Sequence, residues 1–66
     1  MIIDLAGEQG NFFSLFGMVS RFGNQMEMSK EQIKAIQEDM KSSDYNHAVE
    51  VFTEHFGHVV DIINAP

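Results

Sequence analysis

Hydrophobic and polar positions change their spacing several times along this chain, and each change marks an element. Ile2, Ile3 and Leu5 surround Asp4, with Gly7 and Gly10 following, a pattern that predicts a short strand over residues 2–5 ending in a turn. From Asn11 the period becomes helical. Asn11 is a good N-cap, and a helix fits from Phe12 to Gln25. At about 100° per residue, Phe12, Leu15, Phe16, Val19, Phe22 and Met26 share one wide arc, with Met18 at its edge. Ser14, Arg21, Asn24 and Gln25 lie opposite, and Phe13 points away from the arc.

Ser29 and Gln32 have capping-box spacing and open a second helix with a narrow stripe of Ile33, Ile36 and Met40. Its other face alternates Glu31, Lys34, Glu38 and Lys41, the pattern of a solvated surface. Ser42-Ser43-Asp44 interrupts this helix and caps a third. Tyr45, Ala48, Val49, Phe52 and Phe56 then recur at i, i+3, i+4, i+7 and i+11. Gly57 stands where a left-handed C-terminal glycine belongs, and residues 58–63 read as a second strand.

The predicted fold is therefore α+β, ordered β-α-α-α-β, a single domain over residues 1–66. Its terminal strands pair with each other, and three helices pack over them with the first the most buried. An isolated two-stranded ribbon is marginal in water, so the helices or a partner chain must support it.

Size sharpens this need for support. A chain of 66 residues buries only about 60% of its unfolded surface. Small domains commonly add disulfides, a metal or a partner, and this chain has no Cys. No run approaches the roughly 18 apolar residues of a membrane span, and Met1-Ile2-Ile3 leads directly to Asp4 without the basic start of a secretory leader. These features predict a protein of the cytoplasm with no membrane partner.

Charge separates the chain into regions. Ten acids against four bases give −6, which argues against nucleic acid as a partner, since phosphate binding needs clustered Lys and Arg. Residues 42–66 hold Asp44, Glu50, Glu54 and Asp61 with no Lys or Arg, so most of the acidity lies in the third helix and last strand. That localisation fits either simple solubility or a face that docks on a basic protein surface.

Candidate chemistry is sparse. His47, Glu50 and Glu54 share the outer face of the third helix at i, i+3 and i+7, a spacing able to hold a divalent ion. No HExxH motif accompanies them, and a solvated face is the expected reading, with no metal and no cofactor. His55 borders the apolar arc and is expected to be partly buried and hydrogen-bonded. There is no G-x-S-x-G elbow, P-loop or G-x-G-x-x-G fingerprint, so no enzyme is expected. Met18, Met26 and Met28 gather near the end of the first helix. With Phe13, Met28 suggests an adaptable apolar patch for a partner or a second copy.

A resemblance adds context. Gly10-Asn11-Phe12-Phe13, Ser43-Asp44-Tyr45-Asn46-His47, Val51-Phe52, His55-Phe56-Gly57 and Val59-Val60 resemble a group of small acidic proteins encoded by bacteriophages and prophages. The similarity spans roughly residues 3–63. It implies a protein acting inside the host cell that binds and blocks a host protein, such as a restriction, BREX-type or CRISPR defence component. The combined expectation is a non-catalytic counter-defence inhibitor in the host cytoplasm. Its partner-binding residues are expected to be Glu50, Glu54, His47 and Asp61, with Phe13 and Met28 as apolar anchors. The alternative is a self-associating structural, assembly or regulatory subunit of a phage; a higher oligomer fits that role, whereas a monomer or a homodimer fits the inhibitor.

Overall fold

A computed structural model describes residues 2–8 and 10–65; Met1, Gln9 and Pro66 of the expected single domain lie outside the described residues. The order is β1 (Ile2–Asp4), α1 (Phe12–Gln25), α2 (Lys30–Lys41), α3 (Tyr45–Phe56) and β2 (Asp61–Ile63), an α+β arrangement. The two strands are hydrogen-bonded neighbours and run parallel, with Ile2 opposite Asp61, Ile3 opposite Ile62 and Asp4 opposite Ile63. A parallel pair needs a crossover connection, and here all three helices form it.

Each helix starts where a short polar side chain can cap it. Asn11 accepts from the Ser14 amide at 2.8 Å, and Asp44 from the His47 amide at 2.9 Å. Ser29 and Gln32 complete a capping box in both directions, at 3.1 and 2.9 Å.

The end of α1 has a more specific design. Met28 N–H donates to the Gly23 carbonyl at 2.9 Å, and Glu27 N–H to the Asn24 carbonyl at 3.2 Å. These are the two bonds of a Schellman motif. The left-handed position falls on Glu27, with φ of 60°, where glycine is the residue best suited. Met28 supplies the apolar contact of the motif and packs against the core. Met28 is thus half-buried at the helix stop. Phe13 is 83% exposed in the first turn of α1, about 20 Å along the helix from Met28 at ~1.5 Å per residue. The two therefore do not form one patch.

The core is a continuous cluster contributed by every element, from Ile3 and Leu5 through Val60. Its centre is aromatic. Phe22 of α1 lies 6.4 Å from Phe52 and 6.0 Å from Phe56, and those two rings are 5.3 Å apart. Phe52 and Phe56 are the two largest fully buried side chains, so α3, not α1, is the most deeply packed helix. Val51 is also buried, widening the apolar face of α3 beyond the stripe read from sequence. Met26 is exposed, because the chain has already left helical geometry at that cap position.

Close approach of α1 and α2 depends on Gly23. A Cβ there would stand 2.6 Å from Cγ1 of Ile33, so the glycine is the socket for that side chain. Gln37 of α2 crosses to α1, its Nε2 donating to the Phe16 carbonyl at 3.1 Å and to Ser20 Oγ at 2.9 Å. Lys41 stands 5.7 Å over the Phe16 ring.

Three local expectations are corrected at the end of α3. Gly57 has φ of −62°, right-handed and not left-handed. The chain continues its turn there, with the Val59 and Val60 amides both donating to the Phe56 carbonyl at 3.0 and 3.2 Å. That turn carries Val60 into the core, and strand geometry begins only at Asp61 instead of at His58. His55, expected to be partly buried, is exposed, although its wheel position falls between the buried Val51 and Phe52; it stands in the last turn of α3.

Two stability outcomes follow. Replacing Glu27 by glycine relieves the left-handed strain, and the E27G melting temperature should rise by a few degrees, on the order of 0.5–1 kcal/mol for this size of domain. Among the described residues the buried Tyr45 hydroxyl has no hydrogen-bond partner. Tyr45→Phe removes that unsatisfied group and should leave the melting temperature equal or higher, since an orphaned buried polar group costs roughly 1–3 kcal/mol.

Candidate functional site

The acidic residues singled out from sequence come from two elements, α3 and β2. Glu50 and Glu54 are exposed on α3, and Asp61 is exposed at the start of β2. Among the described residues none of the three has an ion-pair partner. Core packing fixes their orientation: with Val49, Phe52 and Phe56 turned inward, helical periodicity leaves positions 50 and 54 outward. In β2 the alternation of strand side chains turns Ile62 toward the core and leaves Asp61 and Ile63 outward.

Two clefts connect these elements. One, of about 520 Å³, is bounded by Thr53 and Gly57 of the α3 end, by Ile2, and by Val60 through Ile63. The other, of about 420 Å³, lies between Asn46, Val49, Glu50 and Thr53 of α3 and Ala65. Thr53 borders both, so the two clefts adjoin as a groove on the exposed side of α3, next to β2. Glu50 rims one end of it and Asp61 the other; Glu54 borders neither cleft. Sequence reading did not single out Thr53. Its signal was a small polar residue between the core positions Val49 and Phe56, meaningful only once β2 lay beside it.

His47 has a different role. Its Nε2 lies 2.9 Å from Asp39 Oδ1 of α2, an ion pair between helices when the imidazole is protonated. That hydrogen bond, with the nearby charges of Asp39 and Glu50, raises the His47 pKa above its ordinary 6.5. The imidazole thus links α2 to α3 and stands apart from the groove. Phe13 and Met28 lie on α1 and at its stop, outside both clefts.

At the chain ends, Asp4 Oδ1 accepts from Asn64 Nδ2 and from the Ala6 amide, each at 2.9 Å. The Asn64 bond first, and the Ala6 bond second, lower the Asp4 pKa below its usual 3.8. A third cleft, about 450 Å³, opens between Arg21, Phe22, Gln25 and Met26 of α1 and Val59-Val60. Among the described residues no three His, Asp or Glu side chains converge as a metal site, and no helix is long and apolar enough to cross a membrane. No protein-family model, curated protein or solved structure matches the chain.

The His47–Asp39 pair makes stability depend on pH in a defined direction. A group whose folded pKa is raised stabilises the fold fully below its unfolded value and loses that contribution as pH rises through the folded value. The melting temperature of the wild type should therefore fall, relative to Asp39→Asn, as pH climbs through the range above 6.5. Thermal melts of both proteins from pH 5 to 9 check this; parallel curves would show that the pair is not linked to folding.

Proposed function

We propose that this protein is a non-catalytic binding module that captures and blocks a basic surface on another protein. The observation that carries the reading is the exposure of Glu50, Glu54 and Asp61, in a region of the chain with no Lys or Arg to neutralise them. Like charges one helical turn apart cost a few tenths of a kcal/mol, a cost that a basic partner would reverse on docking. The acids stand on a packed helix and a paired strand, so their spacing is set before a partner arrives, which limits the ordering cost of binding. The resemblance to small acidic phage and prophage proteins supplies the setting: the partner is a host protein, and a defence component of the restriction, BREX-type or CRISPR kind is the target class.

A second reading is self-association through the sheet. Its support is the two-stranded ribbon with exposed Ile2 and Ile63 on its outward side. Sedimentation over a range of concentrations separates the two: a stable higher oligomer favours assembly, a monomer favours capture of another protein.

The binding reading predicts that Glu50→Lys with Glu54→Lys abolishes partner capture from bacterial lysate while thermal melting stays within a few degrees of wild type. The same proteins retained by both forms would refute the electrostatic face.

A further inference from the structure

The outer edge of β2 and the groove along α3 together have the form of a site for one more strand. Among the described residues, β2 has a neighbour only on its β1 side, so its other edge carries backbone donors and acceptors that no strand satisfies. Beside β2 lie the two clefts whose α3 walls are Thr53 with Gly57 and Val49 with Thr53, the first of them reaching Ile2 of β1 as well. These are modest side chains, leaving space for a backbone to lie between helix and strand. From Asn46 to Gly57 the helix runs about 16 Å at ~1.5 Å per residue, the length of roughly five extended residues at ~3.3 Å each.

We infer that the groove between α3 and the free edge of β2 binds an extended segment of a partner protein as a third strand, with apolar residues alternating with basic ones. Strand side chains alternate between faces. Those on the Ile62 side would meet Val49 and Thr53, so they should be apolar. Those on the other side would stand beside Asp61 and, at the far end, reach Glu50, so they should be Lys or Arg. Opposite charges across neighbouring strands stabilise such a pair, and like charges oppose it. This chooses the occupant. A second copy of the chain would bring a net −6 to a groove already rimmed by acids, whereas a basic segment is complementary to it. Backbone pairing then supplies affinity and the alternating pockets supply selectivity.

The inference rests on residues 42–66 being a docking face, and the test separates the two. A fluorescent hexapeptide of alternating Lys and Val is titrated against the full chain and followed by anisotropy. Its counterpart N-methylated at alternate amides keeps charge and side chains but cannot donate along the edge. Expected results are saturable binding of the first peptide and about tenfold weaker binding of the methylated one, the effect of one or two lost backbone hydrogen bonds. Asp61→Lys should weaken the unmodified peptide about tenfold, and so should Thr53→Trp, which fills the groove from an exposed helix position. If T53W does not fold, the methylated peptide decides alone, since it is measured on the wild-type protein. Equal binding of the two peptides overturns strand addition while leaving the acidic face standing. Binding of an alternating Glu and Val peptide as tight as that of the Lys peptide overturns both. A concentration-dependent dimer that T53W abolishes would make a second copy the occupant and overturn the inference.

Discussion

The rings of Phe22, Phe52 and Phe56, with neighbouring centroids 5.3 to 6.4 Å apart, hold the molecule together. They join the first helix to the third across the middle of the chain. Burial of each ring stabilises by roughly 1.5–3 kcal/mol, and each well-arranged aromatic pair adds ~0.5–1.5 kcal/mol. In a domain of 66 residues without disulfides, these are large fractions of the total stability. Everything else is arranged around that contact. Gly23 lets Ile33 seat itself so that α2 can close against α1, and the turn after Phe56 delivers Val60 beneath the ribbon.

Polar links then set how the helices sit on one another. Gln37 fastens α2 to α1, and His47 with Asp39 fastens α2 to α3. Asp4 and Asn64 tie the two strands together at one end of the ribbon. Each link commits a side chain that the sequence alone offers as available chemistry. His47 is the clearest case, because its spacing with Glu50 and Glu54 suggests a shared face, yet its imidazole turns to Asp39. Among the described residues Glu50, Glu54 and Asp61 have no ion-pair partner, as is also true of the exposed Glu8, Glu27 and Glu31 elsewhere on the surface.

The groove beside β2 arises from topology. Among the described residues the parallel two-stranded ribbon has open strand edges, and the crossover through three helices brings β2 next to the exposed side of α3. An acidic rim on such an edge works in two directions. It discourages pairing between copies of the chain, as charged edge residues do in many sheets, and it favours a basic segment. Specificity of this kind comes as much from the pairings a surface rejects as from those it accepts.

Local rules sufficed for the elements of this protein. Asn11, Ser29 and Asp44 cap the three helices because a short polar side chain can satisfy free amides within its own turn. The i, i+3, i+4 stripes of α2 and α3 report burial because one face of a helix must leave water. Two of the expectations that needed revision concern where the chain goes after a helix ends. A Schellman stop with Glu27 in the left-handed position leaves Met26 of the expected apolar arc exposed, and a right-handed turn at Gly57 shortened the second strand. Both depend on which side chain the turn must deliver to the core, information that neighbouring residues do not carry. The acids at 50, 54 and 61 were legible as a charged region from sequence, since charge is a property of composition. That Glu50 and Asp61 rim one groove, with Thr53 between them, was decided by the tertiary structure, because only the parallel pairing of the chain ends lays β2 alongside α3.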